Sequence, residues 1–308
     1  MKRVFGIVPS RRLGRSLGVS PIPLSTCTYS CVYCQLGRTR HMQDRREVFF
    51  KLEELMEELK AYEEKRDQFD VITLVGEGEP TLYARFGELI EAIKIRFNKK
   101  VVLITNGSLL FRPEVQTEAL KADIVMPSLD AWDEDSFKQI NRPFGRITFE
   151  EMFDGLRLFR ERYRGEFYLE NMCISGITDR EGSAEKLIDK IRLLKPDSVF
   201  INTPVRPPAE DWVKRCPEDF LKNLQGSFGT TADVEIPDSS IFSNETDFYS
   251  SVLDIIQRHP LDLKAIRRYC SDRCEDFEII MKKMNEDDKI ERIEYENNLF
   301  YRIKTIRK

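Results

Sequence analysis

Residues Thr26-Cys27-Thr28-Tyr29-Ser30-Cys31-Val32-Tyr33-Cys34 hold three cysteines at C-x3-C-x2-C spacing, with an aromatic residue just before the third. Cysteine thiolates this close in sequence can wrap one face of an iron–sulfur cluster, as other short cysteine runs do. Three ligands on four irons leave one iron open, as a catalytic metal site requires. A structural zinc would need a fourth ligand. The nearest candidate is His41, one of two histidines in the chain. Disulfides fit poorly, because three close cysteines pair badly and nothing signals an oxidising compartment.

Outward from this stretch, strands and helices alternate. Pro9 to Gly18 is rich in glycine and arginine, lacks a clear period and reads as an ordered loop before a short strand, Val19 to Leu24. Residues 47–66 put Leu52, Leu55, Met56 and Leu59 at helical spacing. Apolar runs follow at 70–75, 100–105, 122–128, 166–172 and 198–202. Helices are expected around 86–97, 113–120, 149–163 and 184–194. Near-continuous apolar strands alternating with amphipathic helices predict a parallel sheet covered by helices, six strands in all. Sites in such folds lie at the carboxyl ends of the strands. Those ends are polar here: Gly76-Glu77-Gly78-Glu79-Pro80, Thr105-Asn106, Ser128-Leu129-Asp130, Glu170-Asn171 and Asn202 to Pro208, where Arg206 reads as a substrate contact.

The cysteine run followed one strand later by Gly-Glu-Gly-Glu-Pro resembles the radical S-adenosylmethionine (radical SAM) superfamily. The match covers about residues 4–208. Residues 8–18, joined to Cys-Val-Tyr-Cys-Gln-Leu-Gly-Arg-Thr, look like small single-cluster members related to wyosine-type tRNA base synthases. The resemblance implies a (β/α)6 partial TIM barrel, a 4Fe–4S cluster on Cys27, Cys31 and Cys34, and S-adenosylmethionine (SAM) at the open iron. It implies that Gly76, Glu77, Gly78 and Glu79 hold the amino group of SAM, although Glu77 replaces the second glycine of the usual Gly-Gly-Glu-Pro. Thr105, Asn106, Ser128 and Asp130 would take its ribose and methionine parts; each of them also reads as a helix cap or turn residue. The implied reaction is reductive cleavage of SAM to methionine and a 5′-deoxyadenosyl radical that abstracts hydrogen from a substrate. That makes the chain a radical SAM oxidoreductase or transferase served by a one-electron donor such as a flavodoxin or ferredoxin. No side chain is singled out as catalytic.

Composition bounds the substrate less tightly. The 308 residues are 33% charged and 41% hydrophobic, with net charge −4 and seven cysteines. No segment approaches the roughly 20 apolar residues of a membrane span. With no signal-peptide-like start, a reducing cytoplasm is expected. Residues 1–46 carry nine basic side chains (Lys2, Arg3, Arg11, Arg12, Arg15, Arg38, Arg40, Arg45, Arg46) against one acid, Asp44. Arginine beside a reactive centre suits an anionic ligand, which favours RNA base modification. A solvated surface with acidic partners elsewhere in the fold explains the same charges. The alternatives are an activase generating a radical on a partner protein, and a non-enzymatic iron–sulfur or zinc-binding regulator.

Residues 1–245 are assigned to the barrel and 246–308 to a small winged-helix-like domain of three helices and a hairpin. Winged helices often read duplex DNA through the third helix. Residues 275–288 hold six acids against Lys282 and Lys283, a face that repels phosphate. Cys270 and Cys274 form a C-x3-C pair. A second cluster would need about four ligands, and the spacing of Cys173 and Cys216 does not supply them, so these four read as isolated thiols.

Overall fold

The computed structural model describes residues 2–10, 12–228, 232–234 and 247–304. Arg11 and the 245/246 boundary lie outside the described residues. The strands are β1 (Val4–Ser10), β2 (Gly14–Val19), β3 (Thr26–Cys27), β4 (His41–Met42), β5 (Val71–Leu74), β6 (Lys100–Thr105), β7 (Ile124–Pro127), β8 (Glu166–Met172), β9 (Ser198–Asn202) and β10 (Ala232–Val234). Eight of them form one sheet in the order β1-β2-β5-β6-β7-β8-β9-β10. Only the β1–β2 hairpin is antiparallel; every later pairing runs parallel.

Parallel neighbours demand crossovers, and here helices supply them: α1 (Leu52–Lys60), α2 (Phe86–Phe97), α3 (Pro113–Ala119), α4 (Glu134–Ile140), α5 (Phe149–Arg162), α6 (Ser183–Leu194) and α7 (Glu218–Gly226). Helix α2 shows why they stay. Phe86, Leu89, Ile90, Ile93 and Phe97 recur at helical spacing and are all buried, and Asn98 ends the helix in the left-handed region. Helix α5 opens on a reciprocal Thr148/Glu151 capping box.

On β8 burial alternates, so Phe167, Leu169 and Asn171 face the helices while Tyr168, Glu170 and Met172 face the other way. That other face carries a second apolar cluster of Leu13, Val71, Val102, Ile124, Met126 and Phe200. Arg12, in the β1–β2 turn, pairs with Glu170 on β8 and lies 5.2 Å over the Phe200 ring of β9. Those strands stand far from β2 in the sheet order, so the sheet curls until its first hairpin reaches the far wall. This is a partial barrel.

The sequence reading is corrected at four places. Residues 9–18 are mostly strand, and the expected strand Val19 to Leu24 is loop after its first residue. The alternation is hidden because Gly18 has no side chain; the Phe5 ring occupies that space, 2.5 Å from where a Cβ would sit. Helix 47–66 is shorter, α1 giving way to a 3-10 turn, Glu63–Gln68. Helix α4 was not expected; its Asp133/Ser136 capping box was the available signal. The weakly read stretch after residue 208 holds α7 and β10.

The remaining elements are α8 (Phe248–Arg258), β11 (Leu261–Asp262), α9 (Leu263–Asp272), α10 (Phe277–Glu286), β12 (Ile290–Tyr295) and β13 (Asn298–Ile303). They enclose a separate apolar cluster around Val252, Ile266, Met284 and Tyr301. The three strands form their own sheet, β11-β13-β12. Glu296 and Asn297 both have positive φ, as a two-residue hairpin turn between twisted strands requires.

Candidate active site

The cysteine loop is a short parallel clasp. β3 pairs with β4, closing residues 28–40 into a loop. Helix α4 ends against it: Val32 N–H donates to Ile140 O (2.9 Å) and Ser30 N–H to Asn141 O (3.1 Å). Helix-terminal carbonyls that would otherwise lack partners are thus satisfied by the loop. Cys27, Cys31 and Cys34 are unbridged and half-buried. His41 is exposed to solvent. The Asn106 side-chain amide donates to Cys27 Sγ and that of Asn141 to Cys31 Sγ, both at 3.5 Å.

Electrostatics sharpen what this loop can hold. Burial, then the charge of Glu79, lifts the Cys27 thiol to about 12. Burial, then Asp130 and the other two thiols, pushes Cys31 well above the ordinary thiol range. Such sulfurs become thiolates when a neighbouring positive charge compensates them. Three thiols within one another's field, with amides aimed at two of them, fit a cluster that brings its own iron and accepts hydrogen bonds at sulfur.

The Gly-Glu-Gly-Glu-Pro stretch lies alongside. Glu79 N–H donates to Thr26 O (3.0 Å) and Ser25 N–H to Glu77 O (2.6 Å). At Gly78 a Cβ would sit 1.8 Å from the Thr26 carbonyl oxygen, so only glycine permits this approach. The two glutamates then point apart. Glu79 is fully buried. Its Oε1 accepts from Thr81 N–H (3.0 Å), Thr81 Oγ1 (2.6 Å) and Thr105 Oγ1 (2.6 Å), and its Oε2 from Asn106 N–H (2.7 Å). Burial raises its carboxyl above the usual range, opposed by those four donors. Glu77 turns the other way, accepting from Ser20 Oγ and from Arg258 Nε at 2.7 Å. With both carboxylates committed to the protein, this element can offer a ligand its backbone rather than its side chains.

Asp130 is committed too. It accepts from Tyr33 Oη (2.5 Å), Asn141 Nδ2 (2.8 Å) and Met172 N–H (2.9 Å). Ser128 pairs through its backbone with Glu170, and Met172 is in register with Asn202. Ser128, Glu170 and Phe200 therefore share one level on consecutive strands, and Met172 and Asn202 lie one step above them. The Oδ1 of Asn202 is buried with no partner among the described residues, the kind of orphan a ligand satisfies.

Four contacts were missed by sequence reasoning: Asn141 at Cys31, Arg12 with Glu170, Arg258 with Glu77, and His259 with Gln35. The last two join the C-terminal elements to the barrel. Arg258 Nη2 also donates to Lys2 O (2.8 Å), and Tyr295 Oη to Pro204 O (3.2 Å). One contact lies at the start of β1 and the other just beyond the end of β9, so the C-terminal elements reach across the carboxyl-end side of the sheet. The one advance signal was Glu77 itself, a charged residue where the resembled pattern has glycine.

Residues 22–195 match the Radical SAM superfamily, and the chain belongs to it. A UPF0026 protein of Methanocaldococcus jannaschii is 32% identical over 98% of this chain and 96% of its own length. Among solved structures, a radical SAM methyltransferase from Sphaerobacter thermophilus superposes with TM-score 0.54 at 18% identity, covering 77% of this chain and 69% of that one. Streptococcus suis SuiB bound to S-adenosylmethionine gives TM-score 0.51 at 14% identity over 72% of this chain. The chain spans about half the length of SuiB, 50%; both likenesses are of fold. Radical SAM proteins bind a 4Fe–4S cluster and S-adenosylmethionine, and these are the cofactors of this chain. Among the described residues no helix is long and apolar enough to cross a membrane.

Proposed function

We propose that Cys27, Cys31 and Cys34 carry the 4Fe–4S cluster and that the backbone of Gly76 to Glu79, with Ser128 and Asn202, receives S-adenosylmethionine beside it. One observation carries the reading. Asn106 gives its N–H to Glu79 and its side-chain amide to Cys27 Sγ, so a single residue ties the cysteine loop to the glycine-rich strand end. Bound together, cluster and cofactor supply the one-electron reductive cleavage for which the superfamily is named. The chain's own residues do the rest. Asn106 and Asn141 hold the sulfurs, Glu79 braces the ends of β5 and β6, Asp130 fixes Tyr33 beside Cys34, and the C-terminal elements shield the carboxyl-end side from water. Radical SAM enzymes need a reductant; we assign a flavodoxin- or ferredoxin-like carrier in a cytoplasmic setting. We read residues 246–308 as a winged-helix-like domain on a barrel of residues 1–245.

The substrate reading shifts. RNA rested on the basic amino-terminal stretch, and six of its nine basic side chains are paired within the fold: Arg3–Glu58, Arg12–Glu170, Arg15–Asp70, Arg38–Glu210, Arg45–Glu47 and Arg46–Glu118. Beside the cysteine loop, Trp212 is 46% exposed. It stands two residues after Glu210, whose N–H donates to Val32 O and whose carboxylate binds Arg38 and Arg142. An exposed indole two residues from this arginine-bound carboxylate favours a protein at this face, so modification of a partner protein takes precedence over RNA. Anaerobic reconstitution tests the core of the proposal: about four irons per chain and dithionite-dependent formation of methionine and 5′-deoxyadenosine. Stoichiometric zinc without iron uptake would overturn it.

A further inference from the structure

Glu77 sits at a joint. Its carboxylate meets Arg258 Nε at 2.7 Å and Ser20 Oγ, and both ionic side chains are about 95% buried, exposing 5% and 4%. The guanidinium is used on every side: Nη1 reaches Asp254 O (3.0 Å) and the Asp254 carboxylate (2.5 Å), Nη2 reaches Lys2 O (2.8 Å), and Cζ lies 4.5 Å over the Phe5 ring. The backbone of Glu77 is equally committed, its carbonyl taking Ser25 N–H at 2.6 Å only two residues before Cys27. On either side stand glycines whose Cβ positions are already filled, at Gly76 by Ile22 (2.6 Å) and at Gly78 by Thr26 (1.8 Å). The strand end therefore has one side chain by which its position can be set from the C-terminal domain. The next residue, His259, meets Gln35, the neighbour of Cys34, through Nδ1 at 2.8 Å. Two consecutive residues at the end of α8 thus hold both motifs.

We propose that Glu77 and Arg258 are positioning residues for the cofactor: docking of the C-terminal domain through their ion pair sets the Gly76–Gly78 backbone in the shape that receives the amino group of S-adenosylmethionine. The proposal rests on the cofactor reading of that strand end. A buried pair adds little net stability over an apolar packing of the same volume, whereas loss of one partner strands a buried charge. Its distinctive contribution is geometric, a charge-fixed link between two cores. Cofactor binding and domain docking are consequently coupled, and each favours the other.

The test uses the full chain, reconstituted with iron and sulfide, as parent, Arg258→Met, Arg258→Lys, Glu77→Gln and Tyr295→Phe. S-adenosylmethionine binding is measured by equilibrium dialysis, cluster content by iron analysis, and protection of residues 72–79 and 248–258 by hydrogen exchange. Arg258→Met is expected to weaken cofactor binding at least tenfold with iron retained. It should lose protection in both segments together before any cofactor is added. Arg258→Lys should recover part of the affinity, and Tyr295→Phe, which removes a different contact between the same domains, should bind like the parent. If Arg258→Met does not fold, Glu77→Gln carries the test, with an expected three- to tenfold loss. Affinity within twofold of the parent in a folded Arg258→Met or in Glu77→Gln overturns the proposal. A parent that takes up iron but binds no cofactor overturns the reading beneath it, and the proposal falls with that reading.

Discussion

The barrel and the C-terminal domain are held by different forces, and they meet at the cofactor site. The barrel has a large apolar cluster running from Val4 to Leu224 and a smaller one on the inner face of its sheet, and the polar site is set among them by hydrogen bonds from neighbouring strand ends. The C-terminal domain has its own small apolar cluster. It is tied to the barrel by directed polar contacts: Arg258 with Glu77, Arg258 with the Lys2 carbonyl, His259 with Gln35, and Tyr295 with the Pro204 carbonyl. Apolar packing tolerates substitution and small displacement. Directed hydrogen bonds, charge-assisted at Arg258, demand particular partners at particular distances. The first builds a scaffold; the second tells one domain where the other is.

If the cluster belongs to the barrel alone, the largest effect comes from its cysteines. Replacing Cys27, Cys31 or Cys34 with Ala should abolish iron binding. Replacing Cys270 or Cys274 with Ala should leave iron per chain unchanged, and a fall by half there would give the C-terminal domain a share in the metal site.

Next in size are changes that separate the two cores. Glu79→Ala leaves four donors without their acceptor, two of them backbone N–H groups. At about 1–3 kcal/mol for each buried unsatisfied group, it should collapse the strand ends and lose the cluster. Ile266, wholly buried in the C-terminal core, should cost about 2–5 kcal/mol on truncation to Ala. Calorimetry should assign that loss to an early transition of the C-terminal domain, with iron retained. A single shifted transition carrying iron loss would mean that the two cores fold as one.

A smaller effect should appear with pH. Burial, reinforced by Arg206 and Arg258, lowers His259 from 6.5 to about 3. The ring is then neutral when docked, and Gln35 donates to its Nδ1. An undocked, solvated His259 binds a proton near pH 6.5, while the docked form resists until near 3. The less ordered state thus binds more protons between these values, so docking stability is complete above pH 6.5 and declines as pH falls toward 3. Melting of the C-terminal domain should therefore shift down between pH 7 and 5, and His259→Asn should flatten that dependence. Equal slopes in parent and variant would remove His259 as the cause.

What the sequence revealed follows from the range of each cause. Helix α2 and strands β5 to β9 were legible because their apolar periodicity is local. So was the cysteine loop, whose three thiols lie within eight residues. The β1–β2 hairpin was not, because Gly18 delegates its place on the inner face to Phe5. The assignments of Glu77, Glu79 and Asp130 needed their partners to be understood, and Arg258 stands 181 positions from Glu77. Charge counts misled for the same reason: the acids that neutralise Arg3, Arg12 and Arg46 lie 55, 158 and 72 positions away.

That last point sets the smallest expected effect, on RNA. Each phosphate contact contributes about −0.7 to the slope of log affinity against log salt for single strands. With most of the amino-terminal arginines paired within the fold, RNA binding by the intact protein should be weak and its slope shallow, short of two contacts' worth. Arg12 and Arg15 separate the causes. Arg15 and Asp70 are half exposed, with side chains 51% and 49% accessible, so Arg15→Gln should leave both melting temperature and RNA affinity as they were. Arg12 is mostly enclosed beside Phe200. Arg12→Gln leaves Glu170 facing the barrel interior without its cation, and should lower the melting temperature with no change in salt slope. A slope that becomes shallower by nearly one contact in either variant, with stability intact, would mean that the arginine leaves its carboxylate for phosphate. RNA would then regain first place as substrate, and the ion pairs would describe only the unliganded protein.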